Sequence, residues 1–367
     1  MKLSEIFNNF SKFLSKPYVK EALLYDKLEN KVVRCNVCAR RCTIPPGKYG
    51  MCKVRYNYNG KLYVITYGNI SSVAPDPIEK KPLFHFWPGS NVLTFGSWSC
   101  NFICVWCQNY EISQNILLDY GRYISPDEAI HLAEHYNCKG VAFSYNEPLV
   151  SMFEFSLDVM KKAKERGLYT VYVTNGFFTE QSLKMLRESG LDAVNIDIKG
   201  CDPQIRRYIG APVEPVWQSA ILAKKLGIHV EVTTLIVPKV NNNDECIRYI
   251  AKRIVSDIGP DTPWHVTRYH PMYRAAEYGL TKPTTVDLLE KAYKIGKEEG
   301  VRYIYVGNVP GHNLESTYCP NCGELLIERW GFDVTKYKLT ADKKCPKCNT
   351  EIPIKGEYTP SHRFLFW

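Results

Sequence analysis

Apolar and polar positions change rhythm along this chain. From about residue 91 to 310, short apolar runs alternate with stretches whose apolar residues recur at helical spacing. The runs cover 91–96, 140–145, 168–174, 191–198, 228–237, 264–269 and 301–306 and read as strands. They are rich in β-branched and aromatic residues and apolar on both faces, which suits a parallel sheet covered by helices. The stretches between them, 127–136, 153–166, 180–189, 215–226, 244–258 and 286–299, read as helices. Ser125-Pro126 supplies a start signal, and Gly167, Gly190 and Gly227 supply stops. The pattern predicts an α/β fold, a partial or complete (β/α) barrel. A doubly wound open sheet is the alternative that strand pattern alone does not separate. Both place active groups at the C-terminal ends of the strands.

The flanks differ. Residues 1–30 read as a helical segment, with Ile6, Phe10, Phe13 and Leu14 at helical spacing. Residues 31–90 hold cysteines, Gly and Pro turns and short β-like runs such as 62–66, and read as a metal-binding module. Residues 311–367 form a second cysteine-rich tail.

Composition changes this picture little. With 367 residues the chain has room for two or three domains. No apolar run approaches the ~20 residues of a membrane span, and the N-terminus does not read as a signal peptide, so we expect a cytoplasmic protein. The net charge of +9 comes without a long basic block. Charge spread over solvated faces is the plainer account, and a nucleic-acid partner is not what it favours.

The cysteines change it greatly. Eleven of fourteen fall into three groups: Cys35, Cys38, Cys42 and Cys52; Cys100, Cys104 and Cys107; and Cys319, Cys322, Cys345 and Cys348. In a large chain without an export signal such groups point to metals rather than disulfides. Cys138, Cys201 and Cys246 stand alone and read as small buried apolar residues.

Cys100, Cys104 and Cys107 follow the strand at 91–96 in the pattern C-x3-C-x2-C. Four cysteines normally hold a [4Fe–4S] cluster. Three leave one iron open to a ligand that the cluster can reduce. With Trp106 before the last cysteine, this motif resembles the signature of radical S-adenosylmethionine (SAM) enzymes. The resemblance spans roughly residues 85 to 310. It implies that SAM chelates the open iron and that reduction cleaves it to methionine and a 5′-deoxyadenosyl radical, which abstracts hydrogen from a substrate. Within that superfamily the chain is most similar to pyruvate formate-lyase-activating-enzyme-like proteins. More narrowly it looks like the AmmeMemoRadiSam system enzymes, in the stretch Asp76-Pro77-Ile78-Glu79-Lys80-Lys81-Pro82-Leu83-Phe84-His85 and in Cys107-Gln108-Asn109-Tyr110.

The same resemblance implies roles at other strand ends. Asn146 and Glu147, in Ser144-Tyr145-Asn146-Glu147-Pro148, stand where the family has a motif for the SAM amino group, although the family's glycines are replaced here by Tyr and Asn. Asn175, Asp197, Lys199 and His270 fall at strand ends that contact SAM or substrate, with Lys199 suited to the SAM carboxylate. An external flavodoxin- or ferredoxin-type electron donor is implied. The family name points to Memo-like and AMMECR-like proteins as partners.

Cys319-Pro-Asn-Cys322 and Cys345-Pro-Lys-Cys348 are paired knuckles that suit tetrahedral zinc and read as a zinc ribbon. The less regular Cys35, Cys38, Cys42 and Cys52 group reads as zinc, favoured because four ligands close a site, or as an auxiliary Fe–S cluster. Arg40 and Arg41 would stabilise thiolates in either case. The expected function is a radical SAM enzyme that abstracts hydrogen from a substrate the sequence does not name, a protein being the candidate that the activating-enzyme resemblance implies. The alternatives are modification of a small molecule, lipid or tRNA, and a multi-zinc interaction or nucleic-acid-binding adaptor.

Overall fold

The computed structural model describes residues 10–360. Eight strands form the central sheet: β1 (Ser72–Pro77), β2 (Asn91–Gly96), β3 (Gly140–Phe143), β4 (Tyr169–Thr174), β5 (Ala193–Asp197), β6 (His229–Ile236), β7 (Trp264–Arg268) and β8 (Ile304–Gly307). Their order in the sheet is their order in the chain. β2 through β8 are parallel, and β1 pairs antiparallel with β2 at one edge. A doubly wound sheet reverses strand order at a switch point. The unbroken sequential order here is that of a (β/α) barrel, left open because β1 and β8 stand at its two edges.

The crossover helices are α1 (Pro126–His135), α2 (Phe153–Glu165), α3 (Glu180–Ser189), α4 (Glu214–Lys225), α5 (Asp244–Arg253) and α6 (Val286–Glu298). The Ser125 side chain accepts from the Glu128 N–H and caps α1, with Pro126 opening the helix. Thr179 and Ser182 form a reciprocal capping box on α3. Each helix buries one apolar face on the sheet; Leu183 and Leu186 of α3 are fully buried.

Three departures from the sequence reading matter. In the first thirty residues, helix is found at Phe10–Phe13, residues 1–9 lie outside the described part, and Lys20–Glu21 and Tyr25–Lys27 are strands. Partners far along the chain decide this: Lys20–Glu21 pairs with Val64 and Tyr63, and Tyr25–Lys27 with Val33–Cys35. Cys201 and Cys246 are joined by a disulfide, whereas Cys138 is the expected buried free thiol. Finally, the stretch 78–86, assigned by sequence to the metal-binding module, is a plug in the barrel. Ile78, Leu83 and Phe86 pack against Val92, Ala142, Tyr169, Val171 and Ala193 near the N-terminal ends of the strands. Backbone N–H groups of Phe84 and His85 donate to the buried carboxylate of Glu231 at 3.0 and 2.7 Å, and Asn195 donates to the Pro82 carbonyl at 2.8 Å.

After β8 comes a three-stranded antiparallel sheet: β9 (Thr317–Tyr318), β10 (Leu325–Trp330) and β11 (Asp333–Tyr337). It has its own apolar core, with Leu326, Ile327, Val334, Ile352 and Ile354 around the C-terminal cysteines. Among the described residues no helix is long and apolar enough to cross a membrane.

Candidate active site and metal centres

The loop carrying Cys100, Cys104 and Cys107 leaves the C-terminal end of β2. It is fastened on several sides. The Ser99 N–H donates to the Ile112 carbonyl at 2.7 Å. Ile103 and Val105 N–H groups donate to Ile209 and Tyr208 at 3.0 and 3.1 Å, and the Arg274 N–H donates to Val105 at 3.0 Å. Gly210 has φ +70°, and a Cβ there would stand 2.6 Å from the Ile103 side chain, so the close approach requires glycine. Ser99 and Tyr145, which flank the site, are non-glycine residues with φ of +77° and +69°. Such backbone is retained only where its surroundings enforce it, and it clusters at functional sites.

One of the three thiols, Cys104, is buried, and Cys100 and Cys107 are half-buried. The Cys107 sulfur lies 3.0 Å from Ser113 Oγ, and the Phe102 N–H points at Cys100 Sγ from 3.3 Å. Burial pushes the Cys104 thiol up to about 12, opposed by nearby Lys199. Burial therefore holds this sulfur as a neutral thiol when it is alone, whereas a bound metal would take it as a thiolate. Three cysteines on one loop, with the Phe102 N–H and the Ser113 hydroxyl beside sulfur, fit an iron–sulfur cluster with an open corner.

The strand-end residues divide into two kinds. Asn146 is saturated by the chain: its Oδ1 accepts from Ser97 N–H at 2.9 Å, and its Nδ2 donates to Ser99 O at 2.8 Å and Ser151 Oγ at 2.9 Å. It thus holds the strand-to-cysteine connection. Glu147 accepts from Thr174 Oγ1 at 2.7 Å, Asn175 N–H at 2.8 Å and Leu149 N–H at 3.1 Å, tying the ends of β3 and β4 together. Burial pushes its carboxyl up to about 7 against these bonds. Asn175 reaches the cluster loop, with Nδ2 2.7 Å from Asn101 Oδ1 and 3.7 Å from Cys100 Sγ. Lys199 and Asp197 pair at 2.8 Å and remain partly open to solvent, at 18% and 34% side-chain exposure. Burial alone would lower the Lys199 pKa, but Asp197 and Cys104 outweigh it and keep the ammonium charged. His270 is exposed on the loop after β7.

The sequence reading passed over Asn101, Ser113 and Tyr145. Asn101 and Ser113 are short polar residues beside cysteines, a weak but real signal. Tyr145 donates its hydroxyl to Asp76 at 2.5 Å, and Asp76 also holds Lys81 at 2.7 Å. That link joins the plug's start to the site over 69 residues, beyond any local pattern.

The family model described as the radical SAM superfamily matches residues 99–254, the span that runs from the cysteine loop to α5. The chain belongs to the radical SAM superfamily. An uncharacterized protein of Methanocaldococcus jannaschii is 44% identical over 339 residues, which is 92% of this chain and 99% of that one. A GTP 3′,8-cyclase of Limosilactobacillus fermentum is 24% identical over 281 residues, 70% of this chain and 79% of its own. A domain of pyruvate-formate lyase-activating enzyme from Bacteroides vulgatus superposes with a TM-score of 0.40 at 17% identity, covering 46% of this chain and 99% of that one. Superfamily membership makes this a radical SAM type of enzyme, with the [4Fe–4S] cluster, SAM and external reductant that the type uses.

The two four-cysteine groups are built differently. Cys319, Cys322, Cys345 and Cys348 bring all four sulfurs within 4.8 Å of one another, with Cys319–Cys348 at 3.5 Å and Cys322–Cys345 at 3.6 Å. A tetrahedral ion with ~2.3 Å bonds to sulfur would set thiolates about 3.8 Å apart, so this set can hold a single metal ion. Cys35, Cys38, Cys42 and Cys52 instead line a cavity together with Arg40, Arg55 and Asn101.

Proposed function

We propose that this radical SAM enzyme binds SAM at the Cys100, Cys104 and Cys107 cluster and abstracts hydrogen from a protein substrate. The observation that carries the reading is the cysteine loop at the end of β2, with Asn175, Asp197 and Lys199 gathered beside it. The bound cluster and SAM supply reductive cleavage to a 5′-deoxyadenosyl radical. The chain's residues bind, orient and exclude water. Lys199, a charged ammonium at the mouth, would meet the SAM carboxylate, and Asp197 the ammonium or ribose hydroxyls. Asn146 and Glu147 hold the ends of β2, β3 and β4 in register, and His270 stands at the rim. Zinc in the C-terminal ribbon would be structural, since four protein ligands leave no open position.

The resemblance to pyruvate formate-lyase-activating enzymes supports a protein substrate, and the family name supports Memo-like and AMMECR-like proteins as partners. A second reading, a small-molecule substrate, is supported by the relation to a GTP 3′,8-cyclase over 70% of the chain. Anaerobic protein reconstituted with iron and sulfide, reduced and given SAM should form 5′-deoxyadenosine, and the Cys104→Ala protein should not. Failure of the wild type with a verified, reducible cluster would overturn the reading. With candidate substrates deuterated in turn, the one that transfers deuterium into 5′-deoxyadenosine decides between protein and small molecule.

A further inference from the structure

The N-terminal cysteines surround a buried donor that the protein leaves unused. Arg55 Nε has no hydrogen-bond partner among the described residues, although Arg55 is 1% exposed and lines the cavity, and the buried Asn101 side chain beside it is directed at the Cys38 sulfur. Unpaired buried N–H groups cost about 1–3 kcal/mol each, so an acceptor belongs there. Cys35, Cys38 and Cys52 are buried around the same space. Among the described residues, ligand atoms crowd within 4.8 Å only in the C-terminal set, so the N-terminal sulfurs stand wider than one tetrahedral ion would hold them. A cluster spreads its thiolates because each binds a different iron, and its sulfides accept from N–H groups. Arg55 keeps a fixed charge beside the cavity because Glu154 grips its other nitrogens at 2.8 and 2.9 Å.

The module also touches the catalytic loop. Arg40 donates to the Asn101 carbonyl at 2.7 Å and to Gly210 at 2.6 Å, and Ser99 Oγ donates to the Cys52 carbonyl. The Cys38 thiol faces the Asn101 side chain, whose Oδ1 lies 3.8 Å from Cys100 Sγ. Met51 lines the cavity and is exposed, so the cavity lies close to solvent.

We propose that Cys35, Cys38, Cys42 and Cys52 hold an auxiliary [4Fe–4S] cluster that relays electrons through Asn101 to the Cys100, Cys104 and Cys107 cluster. A flavodoxin- or ferredoxin-type donor gives up one electron and reduces the auxiliary cluster. That cluster passes the electron on and returns to its oxidised state, and the SAM cluster is reduced by one. The relay rests on the radical SAM reading; the metal content of the N-terminal site does not.

The test begins with metal and sulfide analysis and electron paramagnetic resonance on anaerobic full-length protein. The wild type should hold about eight iron and one zinc, and a variant with Cys100, Cys104 and Cys107 all changed to Ala should keep about four iron and a reducible signal insensitive to SAM. Two zinc and four iron in the wild type would overturn the auxiliary cluster and leave the radical SAM reading standing. A wild type with only about four iron, all of it kept in the triple variant, would overturn the radical SAM reading and leave the N-terminal cluster standing. Cys42→Ala, at the half-buried ligand, then tests the relay. It should lower 5′-deoxyadenosine formation at least about tenfold with reduced flavodoxin and less than about twofold with dithionite, which reaches the SAM cluster directly. Equal losses with both reductants, or none with either, would overturn the relay.

Discussion

The two four-cysteine sites use the same ligands in opposite ways. The C-terminal set takes two knuckles, each turning on a left-handed residue, Gly323 at φ +72° or Asn349 at φ +61°, and closes them inside a core of its own. The N-terminal set takes one irregular loop and leans it against the catalytic loop through Arg40, Asn101 and Ser99. Ligand count alone does not separate a staple from a working site. Sulfur spacing and the contacts just beyond the ligands do.

Removing the C-terminal metal is the strongest way to sharpen this contrast. Structural zinc in small folds supplies about 10 kcal/mol or more of folding free energy, so Cys345→Ala should release one zinc and unfold the ribbon. Limited proteolysis should then cut within 316–360, while 5′-deoxyadenosine formation survives in the remaining barrel. Loss of that activity in parallel would break the comparison.

Arg329 tests how firmly the ribbon is joined to the barrel. It is buried, donates to Thr317 Oγ1 and to the Phe84 carbonyl at 2.8 Å each, and stands 3.9 Å from Glu79. Arg329→Leu leaves the Glu79 carboxylate buried without its cation and should cost about 3–5 kcal/mol in denaturant unfolding.

Glu79 gives the pH dependence. Burial pushes its pKa up to about 7, against the pull of Arg329 and the Gly89 N–H. The folded state therefore holds this proton more tightly than the unfolded chain. The stability it brings is complete below about pH 4.5 and is lost as pH rises through about 7. Glu79→Gln removes this titration, so the stability of the variant relative to wild type should rise with pH across that window, whatever the loss of the Arg329 partner costs at every pH. His85 works the other way. Burial lowers its pKa to about 3, so its contribution grows as pH rises from about 3 to 6.5. The variant must therefore be compared with wild type at each pH, with melting temperature as the readout. The smallest effect expected is that of Gly210→Ala, about 1–2 kcal/mol from backbone strain and the Ile103 contact, accompanied by faster loss of cluster colour in air.

What the sequence showed follows the range of the forces involved. The seven parallel strands and six crossover helices were legible because periodicity and caps act over a few residues, as at Ser125 and Thr179. The triplet and the knuckles were legible because ligand spacing is local. The strand at Lys20–Glu21, the plug at 78–86 and the Cys201–Cys246 disulfide depend on partners tens of residues away. Arg55 is the sharpest case. As a lone arginine in a cysteine-rich segment it carried no signal, and only its pairing with Glu154, 99 residues on, shows it to be a fixed charge beside the cysteine-lined cavity. At the N-terminal site the sequence left zinc and an auxiliary Fe–S cluster both open, because ligand count does not say how far apart the ligands stand.

The plug closes one floor of the enzyme. Residues 78–86 fill the end of the barrel where the strands begin, and Glu231 anchors them from within. The cysteine loop leaves the opposite end of β2, so the chemistry faces away from the floor. A chain segment that lies far from the cluster in space thus seals the barrel's underside with its own backbone, as a stopper seals a flask.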